Sequence, residues 1–421
     1  MKFNATLFAL LGATLLLCSC EEEKFSETFE YESGNMPSSV KVTTDYAGIK
    51  SLTLFQLDDY DFNQMVKDNP AQGAAACSEV RVGNTVVRNL DWFQYDQATY
   101  VVSLPETDKH LGSLQVCGTS DLVPHKYNNE NPDPKFANLL LAATNDGMNT
   151  AGVYIGVNVV PYGQMSTDGS KGNVNNTPIP NSPYARCKRL MTSYVTRMVL
   201  DHARSLKEAE EIIKAVPWKD TPILVEAGFQ AHWLVCTEEG SFVCEFINGE
   251  PTFTYSDSEG PNYGNIMTNF SNYLMANGGH VQTHGAGYER FKVLADNYST
   301  ATPRELAKLV FYTKMYTVDY TKPDYFWTEY ATDHYPAQLL MTWRDDTTTR
   351  KGAIWNEFVQ EYEHNNTTWN PEEWGYDYDK SRGAWYTAHS SIWDIHTRTL
   401  TLDIEEKDVF GATFELDALV W

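Results

Sequence analysis

Cys77 follows three alanines, Ala74 to Ala76, and opens a segment that turns at Gly83-Asn84 and returns through Arg88-Asn89-Leu90-Asp91-Trp92. A thiol, a guanidinium and a carboxyl in one short stretch are the groups a cysteine nucleophile needs. Gly-Asn between two β-prone runs favours a two-residue type II′ turn, with Gly83 supplying the positive φ. If Val82 pairs with Thr85, then Glu79 stands opposite Arg88 and Cys77 opposite Leu90. The two-residue side-chain period then puts all four on one face. Arg88 is thus one diagonal step from Cys77, where its charge would lower the thiol pKa and favour the thiolate. Asp91 falls just beyond the last pair. Taken alone, a cysteine beside three alanines is more often a small buried residue than a nucleophile, and Arg88 with Asp91 could be an ordinary local ion pair. Glu79 opposite Arg88 fits either a structural or a tuning role.

The chain around this hairpin has 421 residues, a formal charge of −24 and a pI near 4.7. That acidity argues against a nucleic-acid partner, which needs a basic surface, and speaks mainly to solubility. Lys2 precedes an apolar run from Phe8 to Leu17 that ends in Leu17-Cys18-Ser19-Cys20. The run is short for a membrane span and reads as a secretory leader. It resembles a bacterial lipobox in which Cys20 becomes the lipidated first residue, and Glu21 to Glu23 follow at once. The expected organisation is a signal peptide over 1–19, a lipid-anchored tether and pro-segment over 20–76, and one domain over 77–421. Lipid on Cys20 would attach the protein to the outer membrane, facing the periplasm or the cell surface. Cys117, Cys187, Cys236 and Cys244 remain for an oxidising compartment. Cys236 and Cys244 flank a turn at Glu239-Gly240 in a register that puts them on opposite faces, so a bridge between them is not expected. No C-x-x-C or H-E-x-x-H spacing appears, and neither a zinc site nor a cofactor is expected.

From Cys77 onward strands and helices mix. Strands are expected over 137–144 and 153–160, around a turn at Asn145-Asp146-Gly147. Residues 186–203 read as a helix, and Ser205 with Glu208 forms a capping box for a second. A hairpin is expected from 229–236 and 241–246, and a helix over 287–297. Thr302-Pro303-Arg304-Glu305 caps a further helix with proline in its first turn. Residues 390–404 alternate as two closing strands, whereas 351–382 is rich in Trp, Tyr, Asn and acids and reads as an insertion.

Cys77 with Arg88-Asn89-Leu90-Asp91-Trp92 resembles the choloylglycine hydrolase family, which includes bile salt hydrolases and penicillin V acylases and is related to acid ceramidase. The likeness continues, in order, at several separated places. Asp146 to Val153, followed by Gly156-Val157-Asn158, is similar to the segment bearing an oxyanion-hole asparagine, here Asn158. His232-Trp233-Leu234 with Val243-Cys244-Glu245 resembles the central hairpin. Asn265 to Asn269 resembles the segment supplying a second asparagine, Asn269, and Gly287 to Phe291 carries over Arg290. The match departs in a first hairpin shorter than the family's and in Glu289, where serine is usual.

The resemblance implies an α+β fold, a four-layer αββα sandwich of the N-terminal nucleophile hydrolase type, acting on a linear amide. The nitrogen of an internal Cys77 is locked in its amide with Ala76, so cleavage between Ala76 and Cys77 must come first. The freed α-amine, with a reference pKa of about 7.7 to 8.0, could then act as base to its own thiol. Asp91 would orient that amine, Arg88 would favour the thiolate, Asn158 and Asn269 would receive the oxyanion, and Arg290 would support the arrangement. As bare residues, Asn158 and Asn269 could instead satisfy turn backbone and Arg290 could lie on a helix surface. His232 invites a cysteine–histidine dyad, but its alternating strand makes it read as a packed core residue. Two further hypotheses stand beside the autoprocessed hydrolase. One is a non-catalytic envelope lipoprotein that binds glycans or peptides on a degenerate hydrolase fold; the other is a cysteine–histidine enzyme that needs no processing. The expected partners are a small-molecule amide substrate and the membrane, and a homo-oligomer is compatible with the chain.

Overall fold

A computed structural model describes residues 34–48, 52–68, 76–92, 99–118, 133–161, 192–215, 229–247, 250–256, 260–277, 288–313, 317–318, 327–328, 386–404 and 410–415. The leader with Cys20, Cys187 and the stretch 351–382 lie outside the described residues. The segment ahead of Cys77, read above as tether and pro-segment, contributes β1 (Val40–Thr43), β2 (Leu52–Leu57) and helix α1 (Phe62–Asp68). Its weak periodicity has a physical origin. β2 is the near-continuous apolar run LTLFQL, the signature of a strand covered on both faces. Leu52, Phe55, Leu57, Tyr60, Phe62 and Met65 are all buried.

β3 (Ala76–Val82) and β4 (Thr85–Trp92) form the expected hairpin, with Val82 opposite Thr85, Glu79 opposite Arg88 and Cys77 opposite Leu90. Gly83 has φ +59°, and Asn84 is not among the positive-φ residues, which is the type II′ pattern. β5 (Thr99–Leu104) runs parallel to β2, because the intervening hairpin departs into a different sheet. β6 (Ser113–Gly118) then pairs antiparallel with β5.

Two expectations fail in the next stretch. Residues 137–144 do not form a strand. They form helix α2 (Pro134–Leu140), then a 3₁₀ turn at Leu141–Ala143. The Asp133 side chain accepts from Lys135 N at 2.9 Å and Pro134 opens the first turn, so a cap starts a run of Ala and Leu, both strong helix formers. Asn145-Asp146-Gly147 is not a turn either, but lies inside β7 (Thr144–Asn149). Gly147 is needed there for close approach, since a Cβ would meet the Leu114 carbonyl oxygen and the Leu200 side chain at 2.9 Å. The turn comes at Thr150–Gly152, held by Asn149 Oδ1, which accepts from the Ala151 and Val153 amides.

β8 (Tyr154–Pro161) is followed by helices α3 (Thr192–His202) and α4 (Leu206–Ala215). Ser205 caps α4 through Glu208 N, while Glu208 reaches back to Arg204 N. β9 (Phe229–Thr237), β10 (Gly240–Ile247) and β11 (Glu250–Tyr255) form a meander. The two-residue strand β12 (Ile266–Met267) precedes α5 (Asn272–Ala276), α6 (Tyr288–Asn297) and α7 (Pro303–Thr313). Thr302 and Glu305 make the reciprocal box expected at the start of α7. Short β13 (Thr317–Val318) and β14 (Trp327–Thr328) pair with each other. β15 (Tyr386–Asp394), β16 (Thr399–Ile404) and β17 (Phe410–Glu415) close the chain.

Among the described residues the class is α+β, with two large sheets. A nine-stranded sheet runs β1-β2-β5-β6-β7-β8-β9-β10-β11, and a six-stranded sheet runs β12-β3-β4-β15-β16-β17. Apolar side chains sort into three main clusters by the two-residue period. One joins Phe55, Val102, Ile155, Trp233 and Cys244 of the larger sheet to residues of α1 to α4. A second brings Leu54, Val101, Val116, Leu234 and Cys236 of that sheet against Val86, Trp393, Leu400 and Leu402 of the smaller one. The third packs Val80, Val87 and Ile266 on Phe291, Leu294, Leu306 and Val310 of α6 and α7. Cys236 and Cys244 therefore sit on opposite faces, and Cys77, Cys117, Cys236 and Cys244 are all free thiols.

Candidate active site

β3 and β4 are covered on both sides, so each neighbouring residue meets a different layer. Val80 and Val87 join the cluster under α6 and α7, and Asn89 Nδ2 donates to the Ala307 carbonyl of α7 at 3.0 Å. Of the alternate residues, Cys77, Glu79 and Arg88, all are fully buried, and Glu79 and Arg88 meet groups of β7 and β8.

Arg88 is the hub of that face. Its Nη2 donates to Cys77 Sγ at 3.1 Å and to the Val157 carbonyl at 2.8 Å. Nη1 donates to the Asn145 carbonyl at 2.6 Å and stands 2.9 Å from Glu79 Oε1. Nε lies 3.7 Å from Asp146 Oδ1. Burial alone would loosen the Arg88 proton, but Cys77, Glu79 and Asp146 around it hold its pKa above the ordinary value. For the carboxyls burial prevails instead. Burial pushes Glu79 up to about 8 against the pull of Arg88, and it raises Asp146 as well. Asp146 Oδ2 accepts from Ser391 Oγ at 2.8 Å and Trp393 Nε1 at 2.7 Å, which ties β7 to β15 across the sheet interface.

A second buried guanidinium addresses the backbone of the same cysteine. Arg290, in the first turn of α6, donates through Nη1 to the Cys77 carbonyl at 2.8 Å and to Ser78 Oγ at 2.6 Å. Its Nη2 donates to Asn269 Oδ1 at 2.6 Å. Asn269 Oδ1 also accepts from the Cys77 amide at 3.3 Å. Two donors on that oxygen fix the amide plane and turn its NH₂ to the opposite branch. Asn158, on β8 next to the Val157 carbonyl that Arg88 uses, donates from Nδ2 toward the Thr268 and Met267 carbonyls at 3.2 and 3.4 Å.

The structure thus brings together Cys77, Arg88, Asn158, Asn269 and Arg290 from β3, β4, β8, the segment after β12, and α6. Ala76 is the first residue of β3, its backbone paired with that of Asp91 on β4; the side chains of Ala76, Asp91 and Glu289 lie outside the described residues. His232 is a packed residue of β9. Its Nε2 donates to the Thr268 carbonyl at 2.8 Å and its Nδ1 lies 3.2 Å from Glu245 Oε1. Glu245 in turn accepts from the Asn272 and Tyr273 amides at the start of α5. His232 therefore steadies the segment that carries Asn269 and makes no contact of its own with the thiol among those described. Asp146 and Tyr154 carry no signal in the hairpin motif. Only the folded sheets bring them to Arg88 and Glu79. Among the described residues no group of three or more His, Cys, Asp or Glu is placed to hold a metal ion.

No family model matches the chain, and no curated protein matches it. Among solved structures it is similar to a mutant of conjugated bile acid hydrolase from Clostridium perfringens, with a TM-score of 0.37 and 12% identity over 82% of this chain and 93% of that one. It is also similar to penicillin V acylase from Agrobacterium tumefaciens, with a TM-score of 0.33 and 14% identity over 78% of this chain and 83% of that one.

Proposed function

We propose that the chain is a choloylglycine hydrolase-like cysteine hydrolase of linear amides, matured by its own cleavage between Ala76 and Cys77. The observation that carries this reading is the Arg88 guanidinium, 3.1 Å from Cys77 Sγ. Around the same residue Asn269 accepts from the amide and Arg290 donates to the carbonyl. A merely buried cysteine needs no such reception of its thiol, nitrogen and oxygen together. The three apolar clusters support reading the fold as four layers, helices and sheet against sheet and helices.

In maturation the thiol of Cys77 adds to the Ala76 carbonyl and the acyl group passes from nitrogen to sulfur. Water then hydrolyses the thioester, leaving a carboxylate on Ala76 and an α-amine on Cys77. In turnover that amine takes the thiol proton, and the thiolate adds to the substrate carbonyl. The Asn269 side-chain NH₂ receives the oxyanion, joined by that of Asn158 once it is released from the Met267 and Thr268 carbonyls, a role in which one donor is typically worth about 3 kcal/mol. The leaving amine departs with the proton held by Cys77 nitrogen, and water releases the acid from the thioester. Asp91, on the strand paired with Ala76, orients the α-amine. Arg88 stabilises the thiolate and Arg290 fixes the Cys77 backbone. The substrate class is a linear amide such as a conjugated bile acid, an N-acyl amino acid or amine, or a penicillin V-like compound. Lipid on Cys20 tethers the protein to the outer membrane.

Intact mass and N-terminal sequencing of a soluble chain starting at Glu21, beside its Cys77→Ala variant, test the reading. The expected product begins at Cys77 in the wild type and is absent from the variant. An uncut chain in both overturns it in favour of a non-catalytic envelope lipoprotein.

A further inference from the structure

Glu79 has no part in the steps above, yet the site is built around it. It follows the nucleophile by two residues on the same face of β3 and is fully buried. Its Oε1 stands 2.9 Å from Arg88 Nη1, and its Oε2 accepts from the Tyr154 hydroxyl at 3.1 Å. Space for the carboxyl comes from Gly156 on β8, where a Cβ would lie 2.3 Å from Glu79 Oε2 and 2.6 Å from the Tyr154 oxygen. A carboxyl with a dedicated hydroxyl donor and a glycine hollow therefore competes with the thiol for one cation.

Arg88 cannot settle the competition by moving. The Asn145 and Val157 carbonyls hold its two terminal nitrogens, so its charge is divided among neighbours rather than handed from one to another. We propose that Glu79 is a positioning residue whose own proton governs how much of the Arg88 charge is available to the Cys77 thiolate, and so sets the alkaline limit of the site. With Glu79 neutral, Arg88 faces Asp146 and the thiolate. When Glu79 gives its proton to water, a second carboxylate shares the guanidinium, and in a dry site the added anion disfavours the thiolate.

The groups around Glu79 are consistent with this switch. On its own strand are Cys77 and Arg81, and Arg81 is turned toward the Thr237 and Glu238 carbonyls. β4 presents Arg88, β7 Asp146, β8 Tyr154 and β9 Cys236. His389 on β15 faces Arg88 and is held neutral, because burial and that guanidinium lower its pKa to about 3. Arg88 is thus the cation Glu79 and Cys77 have in common, and burial pushes Glu79 up to about 8, within the working range of an enzyme.

Only the activity readout rests on the hydrolase reading; the thiol titration does not. Thiolate absorbance is followed against pH in the wild type and in Glu79→Gln, with Cys77→Ser subtracting the other cysteines. Two acids sharing one cation titrate as a broadened pair, so the Cys77 signal of Glu79→Gln is expected to sharpen and move to lower pH. The alkaline decline of kcat/KM should move upward, raising the ratio of rates at about pH 9.5 and about pH 7 roughly tenfold, one unit of displaced titration. Tyr154→Phe leaves Cys77 and Arg88 in place but removes the donor that favours the Glu79 carboxylate, and should shift the alkaline decline in the same direction. Cys77 titrations that superimpose in the wild type and both variants overturn the proposal. They do so whether or not the chain cleaves an amide, so failure of the hydrolase reading is recognised separately.

Discussion

At the residue scale the site is a problem of charge in a dry place. Arg88, Glu79 and Asp146 are all fully buried, and one guanidinium faces two carboxyls and a thiol. The consequence for stability has a definite sign. Glu79 ordinarily titrates near 4.5 and is raised to about 8 by burial, against the opposing pull of Arg88. Between those values the folded chain holds a proton that the unfolded chain has released. The stabilising contribution is therefore fully present below about pH 4.5 and is lost as pH rises through about 8. Asp146, raised for the same reason, acts in the same direction. Urea unfolding of the Cys77→Ala chain at about pH 5 and about pH 9 should show a loss on the order of a few kcal/mol across the window. Glu79→Gln in that background should lose less, with some slope retained through Asp146; equal losses in the two chains would mean that Glu79 is not the titrating group. None of this was legible in the sequence beyond the register that set Glu79 opposite Arg88, because Asp146, Tyr154, Ser391 and Trp393 reach the cluster only when the two sheets pack.

At the scale of elements, the legible parts are those whose signals are local. The β3–β4 register follows from Gly83-Asn84 and strand alternation, and the α7 cap from Thr302-Pro303-Arg304-Glu305. The differences at 137–144 and 145–147 arise where composition and context disagree. An Ala/Leu run looks apolar enough for a strand until the Asp133 cap is counted, and Asn-Asp-Gly looks like a turn until Gly147 is needed for close packing. β5, β6 and β17 carry no comparable signal: β5 pairs with β6 and β17 with β16, but through connections longer than the two-residue turn that marks β3–β4. Gly83 tests the hairpin by itself. A Cβ there would meet nothing within 4 Å, so the penalty for Gly83→Ala comes from φ +59° alone. It should be about 1–2 kcal/mol, read as a lowered urea midpoint at unchanged m-value. Cleavage before Cys77 should continue, since the turn lies at the other end of the hairpin from the thiol. A loss of cleavage in a folded variant would instead make the turn part of what registers Cys77 on Arg88.

At the scale of the whole molecule, the proposed scissile bond lies between two parts of one core. Ahead of it, β2 forms a parallel ladder with β5 from Leu52–Thr99 to Gln56–Ser103. Phe55, Leu57, Tyr60, Phe62 and Met65 lie in the cluster shared with α2, α3 and α4. The Tyr60 hydroxyl donates to Asp201, which also accepts from Arg197, and Asn138 Nδ2 donates to the Asp61 carbonyl while its Oδ1 accepts the Asp61 amide. At about 1.5–3 kcal/mol for each fully buried large apolar side chain, these five residues contribute roughly 7.5–15 kcal/mol, comparable with the roughly 4–15 kcal/mol that association of separate pieces forfeits in rigid-body freedom. The ladder and the buried polar contacts add to them, since each would leave an unsatisfied partner on release. Cutting before Cys77 should therefore leave the N-terminal piece bound as a small subunit, and a lipid on Cys20 would keep the catalytic piece at the membrane. After cleavage, both pieces should sediment with membranes through a high-salt wash and co-elute after detergent extraction, separating only in denaturant. A catalytic piece found free in the soluble fraction, with the N-terminal piece left on the membrane, would mean that the core contacts of β2 and α1 do not outlast the cut.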